Sequence, residues 1–433
     1  MPIWNPEYES MDRVQLAELQ LRRLQSTVAW VYERVPHYRD ELDARGVRPR
    51  DIKSLDDVRL LPFTDKTALR DTYPFGMFAV PLEQVVRVHS SSGTTGKPIV
   101  VGYTKGDLNT WTELTARISS AAGVTERDRV QMLFLYGMFT GGWGMHYGME
   151  RVGATVFPAG AGNTERQLMI MRDFGTTVIV GTPSYALYLA EVAEKQGIDL
   201  TALPLRVGLF GGEPSGEGMR DEIERRLGIL ATDNYGLSEV MGPGVSGECE
   251  CQCGLHMAED HFLFEVVDPV TSEPVAAGQE GELIITSLTK EAFPVLRYRT
   301  HDLTTIDSAP CSCGRTAARM SKVRMRTDDM LIIRGVNVFP SQIEDALLTV
   351  EGIEPHYLIV VSRDGAMDHL EVRIEVAEEV FSDVMREMVA FTKRVADRIH
   401  SVIGLSAKVT LVEPGTIERT EGKAKHVLDL RPR

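Results

Sequence analysis

Between residues 129 and 213 the chain repeats one pattern: a short apolar run that stops at glycine or proline, followed by a helical stretch. The runs are "VQMLFLY", "ATVFPAG", "TVIVGTP" and "RVGLFGGE"; residues 164–174 and 184–196 are helices between them. Strands alternating with helices predict an α/β core with a parallel sheet. In such a core ligands gather at the loops leaving the carboxyl ends of the strands, where several glycine-rich pieces of this chain would fall.

Outside this core the pattern changes twice. Residues 11–45 carry helical periodicity, with Leu16, Leu19, Leu21, Leu24 and Val28 as an apolar stripe. From 260 to 305 the helices give way to "HFLFEVVDP", "EGELIITS" and "VLRYRTHDLT", read as antiparallel strands with turns at Asp268-Pro269 and Gly278. A boundary follows at 326–329. Beyond it come strands near 330–338, 357–361, 369–376 and 407–412 and helices near 340–350 and 380–400, enough for a separate α+β domain. The expected division is a large N-terminal domain, 1–327, and a smaller C-terminal domain, 328–433. A length of 433 residues also exceeds what one core usually serves.

Composition narrows the partners. A formal charge of −15 argues against nucleic acid and anionic membranes, which would be repelled at long range. No run approaches the ~20 apolar residues that span a bilayer. The start, "MPIWNPEYES", lacks a basic segment followed by an apolar one, so a cytoplasmic protein is expected. The 5 cysteines fall in two tight groups, "ECECQCGLH" and "CSCGR", a pattern of metal ligands rather than of scattered disulfides. Thiolates two apart on an extended chain point the same way, and zinc favours four such S/N ligands.

The stretch "SSSGTTGKPIVVGYT", residues 90–104, is rich in hydroxyls and glycines but is not a P-loop: only two residues separate Gly93 from Gly96, and Pro98 follows Lys97. Its hydroxyl and amide donors suit triphosphate oxygens, as they also suit a solvent-exposed turn. "DNYGLSEVMGPG", residues 233–244, sets Tyr235 and Glu239 among glycines; the ring suits a planar base and the carboxylate suits Mg²⁺. Asp302 in "YRTHDL" suits ribose hydroxyls. "RTEGKAK" places a lysine almost at the C-terminus. Taken singly, Glu239 and the C-terminal lysine read as solvated charges and Asp302 as a turn residue.

Together and in this order, these stretches resemble the adenylate-forming superfamily, and more closely the phenylacetate-CoA ligase family of aryl-CoA ligases. "YGMFTGGWGMHYG", "LFGGEPSG" and "RTDDMLIIRGVNVFPSQIE" extend the likeness over residues 90–427. The resemblance implies a large domain with a parallel α/β core and a small β-barrel-like region, and a smaller, mobile α+β C-terminal domain. It implies an enzyme that makes an acyl-adenylate from an aromatic carboxylic acid and ATP/Mg²⁺, then passes the acyl group to coenzyme A. Transfer to a carrier-protein thiol or a small amine or hydroxyl is the rival within the superfamily, and a non-catalytic nucleotide sensor is a third reading. A homodimer is compatible with the resemblance.

The same resemblance implies residue roles. Ser90, Ser91, Ser92, Gly93, Thr94, Thr95, Gly96 and Lys97 would grip the β- and γ-phosphates. Gly211, Gly212, Glu213 and Pro214 would flank adenine, with Asn234, Tyr235 and Gly236 beside it. Ser238 and Glu239 would meet phosphate and Mg²⁺. Asp302 would bind ribose, helped by Arg326. Lys423 would be the adenylation lysine, Asp328 the hinge, and Gly335 the point where the pantetheine arm of coenzyme A passes, although a tight turn also explains Gly335. Tyr136, Phe139, Gly141, His146, Gly211 and Pro243 would line the acyl pocket. His146 there would polarise the carboxylate or cap a helix, and Trp143 would be a wall or a core anchor. For zinc the implied set is Cys249, His256, Cys311 and Cys313, with Cys251 and Cys253 as competitors.

Overall fold

The computed structural model describes residues 2–91, 97–327, 329–334, 336–350, 352–364, 367–376, 385–418 and 426–431. The chain divides into two compact units. One comprises Met1–Gly181, Leu203–Gly212 and Leu230–Lys322; the other comprises Thr182–Ala202, Glu213–Ile229 and Val323–Arg433.

In the first unit the N-terminal stripe becomes the helix Arg13–Arg34, started by Asp12, whose carboxylate accepts the Val14 N–H at 2.9 Å. Leu16, Leu24, Val28 and Val31 are buried, while Leu19 and Leu21 are half-buried at the edge of the stripe. The expected continuous helical stretch is two helices, because Pro36 has no N–H to donate to the preceding turn; the second runs Pro36–Ala44.

A two-stranded hairpin, β1 (Arg87–Ser90) and β2 (Val100–Tyr103), flanks the Ser/Gly loop. The core is a 9-stranded sheet. Its parallel part runs β4 (Thr155–Phe157), β3 (Arg129–Met132), β5 (Val178–Gly181), β6 (Val207–Gly211) and β7 (Leu230–Leu237). Strands β5 and β6 are buried at every residue, which is why they read as unbroken apolar runs rather than as alternation. The sheet continues antiparallel through β8 (Gly242–Glu248) and β9 (Leu255–Met257). Three further strands, β10 (Phe262–Val267), β11 (Gly281–Ser287) and β12 (Tyr298–Thr304), pair antiparallel as expected. The 9-stranded sheet ends with β13 (Ile306–Asp307) and β14 (Arg319–Met320).

One helix, Lys105–Ala121, organises the centre of this unit. A Cβ on Gly242 would stand 2.5 Å from Trp111, one on Gly247 2.7 Å from Ile118, and one on Gly244 3.1 Å from Thr115. The helix Thr140–Val152 meets it in the same way: Gly144 and Gly148 face Trp111 and Thr115 at 2.5 and 2.4 Å. Glycines four apart on one helix and along β8 thus let backbone approach a bulky helix from two sides. This packing fixes the turn before β8 against the start of the Thr140–Val152 helix.

The second unit contains a 4-stranded sheet in the order Lys408–Val412, Met367–Val376, Ile353–Asp364, Val427–Asp429. Its helices Pro340–Leu348 and Met385–Ile403 share a buried core with it through Ile343, Leu347, Val395 and Ile399. This is the expected α+β tail, with an edge strand, Val427–Asp429, that the pattern did not announce. No described helix is long and apolar enough to cross a membrane.

Candidate active site

The carboxyl ends of β6 and β7 bring several of the expected nucleotide residues together. Gly211 ends β6 opposite Asn234 of β7. A side chain at Gly211 would stand 2.4 Å from the Asn234 carbonyl, so only glycine lets the strands close here. Asn234 Nδ2 donates to the Phe210 carbonyl at 2.6 Å. Tyr235, expected after a strand, lies within β7, and its hydroxyl donates to Asp302 Oδ2 at 2.5 Å. The two expected base and ribose residues are therefore one hydrogen-bonded pair. At Gly236 the β7–β8 register slips, and a Cβ would fall 1.8 Å from the Gly242 carbonyl. Pro243 is the partner of Gly236 across this irregularity.

The turn between β7 and β8 carries Ser238 and Glu239. Ser238 and Thr140 share a hydroxyl–hydroxyl hydrogen bond of 2.9 Å. Glu239 is 9% exposed and, among the described residues, has no hydrogen-bond or ion-pair partner. A carboxylate held this far from water without a protein cation suits an external divalent cation.

The expected acyl segment runs into the helix Thr140–Val152, with Phe139 as its exposed N-cap. His146 Nε2 donates to Glu150 Oε1 at 3.1 Å, leaving Nδ1 to accept from the Tyr136 hydroxyl at 3.0 Å. Burial, then Glu150 and Tyr147, raises the Tyr136 pKa and keeps its proton in place. Trp143 stands edge-on to Tyr136 at 5.0 Å and stacks with Tyr147 at 5.9 Å; its indole donates to the Gly137 carbonyl at 3.0 Å. Gly141 has room, with a Cβ 3.7 Å from Phe134. Ser90 N–H donates to the Met138 carbonyl at 3.0 Å, tying the start of the Ser/Gly loop to this segment.

Ser91 donates its N–H to the Ile99 carbonyl, and the exposed Lys97 ammonium lies 5.3 Å from the Tyr73 ring centroid. Gly212 has φ +86°. Glu213, Pro214 and Arg326 belong to the second unit. Glu213 Oε1 accepts the Ser184 N–H at 2.7 Å, Pro214 is exposed, and Arg326 Nε is 3.4 Å from Asp329 Oδ2. Ser92, Gly93, Thr94, Thr95, Gly96, Asp328, Gly335 and Lys423 lie outside the described residues. Sequence reasoning passed over Thr140, Glu150 and Lys290. The first two are ordinary helix-surface types in sequence, and Lys290 in "SLTKEAF" reads as a solvated loop.

Away from the turn, the cysteine groups converge. Ligand atoms of Cys249, His256, Cys311 and Cys313, all buried, lie within 4.8 Å of one another. Cys249 and Cys311 sulfurs are 3.8 Å apart, and Cys313 Sγ is 3.4 Å from His256 Nε2. Zinc–sulfur bonds of about 2.3 Å at tetrahedral angles place ligands about 3.8 Å apart, so the spacing fits a closed four-ligand site. The competitors have further partners: Cys251 Sγ is 3.1 Å from Ser312 Oγ, and Cys253 Sγ accepts from Arg319 at 2.9 Å, although it also lies 3.5 Å from Cys311 Sγ at the edge of the cluster. Burial, aided by Arg315 and Arg319, lowers the His256 pKa to about 4 and keeps the imidazole neutral. Burial raises Cys249, and raises Cys311 to about 11. At Cys313 burial acts the same way but is outweighed by hydrogen bonds from Arg315 and by Cys311, so its pKa is lowered.

The family model for AMP-binding enzymes matches residues 29–289, and that for the AMP-binding enzyme C-terminal domain matches 335–431. The phenylacetate-coenzyme A ligase of Thermus thermophilus is 49% identical over 99% of this chain and 100% of its own length. The chain belongs to the phenylacetate-CoA ligase family. The Escherichia coli phenylacetate-coenzyme A ligase is 50% identical over 98% of this chain and 97% of that protein. Among solved structures, 2-hydroxyisobutyryl-CoA ligase in a postadenylation state, bound to an acyl-AMP, superposes with a TM-score of 0.92. It is 32% identical, covering 98% of this chain and 91% of that one. The likeness in fold extends over the parallel sheet and the separate C-terminal domain.

Proposed function

We propose that this protein is an AMP-forming aryl-acid–CoA ligase that activates an aromatic carboxylic acid, of the phenylacetate kind, with ATP and transfers it to coenzyme A. The observation that carries this reading is identity of about half the residues over essentially the whole length to phenylacetate-CoA ligases. The Tyr235–Asp302 pair, Glu239 with no partner among the described residues, and the aromatic walls around Tyr136 support it.

In the first half-reaction a carboxylate oxygen attacks the α-phosphorus, the bond to the β-phosphate bridging oxygen breaks, and pyrophosphate leaves. Two anions must meet, and negative charge builds on the phosphoryl oxygens. Tyr235 and Asp302 orient the nucleoside, and Ser90–Lys97 receives the β- and γ-phosphates. Glu239 would hold Mg²⁺, which neutralises phosphate charge when bound. Lys423 supplies the second positive charge. In the second half-reaction the thiol sulfur of coenzyme A attacks the acyl carbonyl, its proton is lost to solvent, and AMP leaves.

Two tasks in one pocket ask for a moving part. The C-terminal domain, 328–433, is read as that lid, with Asp328 as its hinge and Gly335 beside the pantetheine arm. The region β10–β12 is read as the small barrel-like part of the large domain, 1–327. Zinc, held by Cys249, His256, Cys311 and Cys313, would staple two distant loops and take no part in the chemistry. A cytoplasmic enzyme, acting as a monomer or homodimer, fits the family. A panel of carboxylic acids, read by pyrophosphate release with and without coenzyme A and by mass for the thioester, tests the assignment. Acid-dependent pyrophosphate without thioester would overturn the acceptor, and no release with any aromatic acid would overturn the function.

A further inference from the structure

Two residues beyond Glu239, Met241 is held by a buried aromatic and cationic stack. The Tyr103 hydroxyl donates to the Met241 carbonyl at 2.8 Å. Tyr103 stacks on Trp111 with ring centroids 4.9 Å apart, and the Trp111 indole donates to the Pro243 carbonyl at 2.9 Å. The ammonium of Lys290 sits 3.3 Å from the centroid of the Tyr103 ring. Lys290 is 4% exposed, and its ammonium donates to the Met241 thioether at 3.6 Å. No carboxylate of a described residue comes within 4.0 Å of it. Asp107, the anion that favours its charge, has its own oxygens taken by the N–H groups of Thr104, Glu291 and Ala292. Burial lowers the Lys290 pKa to about 8, so it remains charged at neutral pH.

A buried ammonium with no close anion is costly, and an apolar side chain of the same length would pack there at lower cost. Stability alone does not account for it. A cation over a phenol ring draws electron density from the hydroxyl and makes it a stronger donor, most effectively where water is excluded. Here that hydroxyl grips the carbonyl at the end of the turn carrying Ser238 and Glu239. The stretch is also held by the Thr140–Ser238 hydroxyl pair, the Trp111–Pro243 bond and the N–H groups of Val240 and Met241, which donate to the Leu237 carbonyl.

We propose that Lys290 is a positioning residue for adenylation: seated on Tyr103, it strengthens the hold on Met241 and keeps Glu239 in place for a magnesium–triphosphate ligand. This rests on the reading of the chain as an adenylating enzyme. The test therefore uses an observable that needs no acid substrate: binding of Mg²⁺ and a non-hydrolysable ATP analogue, followed by calorimetry across a Mg²⁺ series, beside thermal melting.

In Lys290→Met the melting temperature is expected to hold or rise, while the Mg²⁺ needed for half-maximal analogue binding rises about tenfold, as for other residues that orient a metal ligand. Tyr103→Phe is expected to shift it similarly, and the double variant to be no worse than Tyr103→Phe alone, because both act through one hydrogen bond. Unchanged Mg²⁺ dependence in Lys290→Met overturns the proposal, as does a fully additive double variant or a loss that merely tracks a fall in melting temperature. Analogue binding by the wild type without pyrophosphate release from any aromatic acid would remove the aryl-acid reading and leave Lys290 standing. No analogue binding by the wild type would remove both.

Discussion

Glu239 and Lys423 were both visible as motif residues, yet they ask for different tests. Glu239 is buried and has no partner among the described residues, so on the proposed reading its charge costs stability and would serve the ligand. Glu239→Gln should leave the melting temperature unchanged or raised, while adenylation falls roughly 10²–10³-fold, the scale of losing one charge-stabilising group. Pyrophosphate release and thermal melting, measured side by side, check this; a parallel fall in both would contradict it. Lys423→Ala should depress adenylation by a similar factor of about 10²–10³ and spare thioester formation from preformed acyl-adenylate. Equal loss in the two half-reactions would count against the role. Motif reading reached these residues because their neighbours in sequence are distinctive. It did not reach Lys290 or Thr140, whose roles come from Tyr103, Met241 and Ser238, remote in the chain.

Among the elements, the helix Lys105–Ala121 and its two glycine ridges decide where the site residues stand. Gly144→Ala would press a methyl group to 2.5 Å from the Trp111 indole, and such overpacking costs about 1–3 kcal/mol. Gly141→Ala meets only ordinary contact, 3.7 Å from Phe134, and should unfold at nearly the wild-type midpoint. Urea denaturation of the pair checks the difference. The short apolar strands and the 164–174 helix were legible because burial on both faces and amphipathic periodicity write themselves into composition. Strand β8, "GPGVSGE", was not: all its residues are buried, but its glycines answer to Trp111, Thr115 and Ile118 rather than to a strand pattern.

For the molecule as a whole, the cysteine–histidine cluster and the buried histidine call for tests of stability rather than of chemistry. If Cys249, His256, Cys311 and Cys313 hold zinc, elemental analysis will find one per chain, a chelator will lower the melting temperature, and Cys251→Ser will keep the metal. Metal-free reduced protein as purified would end that reading. Buried His261 has its pKa lowered to about 4 by burial, against the pull of Asp260, from the ordinary 6.5. It is neutral in the fold, with Nε2 3.2 Å from Asp260 Oδ2 and Nδ1 sharing a 2.7 Å hydrogen bond with the Thr289 hydroxyl. The unfolded chain therefore takes up its proton first. This contribution is full above about pH 6.5 and is lost as pH falls towards 4. Melting temperatures from pH 7.5 to 4.5 should fall less steeply for His261→Gln than for the wild type.

By itself the sequence determined the fold class and the family and named candidates for the reacting groups, because periodicity, glycine punctuation and motif spacing are local properties of a chain. Only the tertiary structure decided which cysteines converge, that Tyr235 and Asp302 form one pair, and that a lysine in an unremarkable loop sits on a tyrosine behind Glu239. Those facts depend on distances between residues tens to hundreds of positions apart, and such distances are set by packing, which no local pattern records.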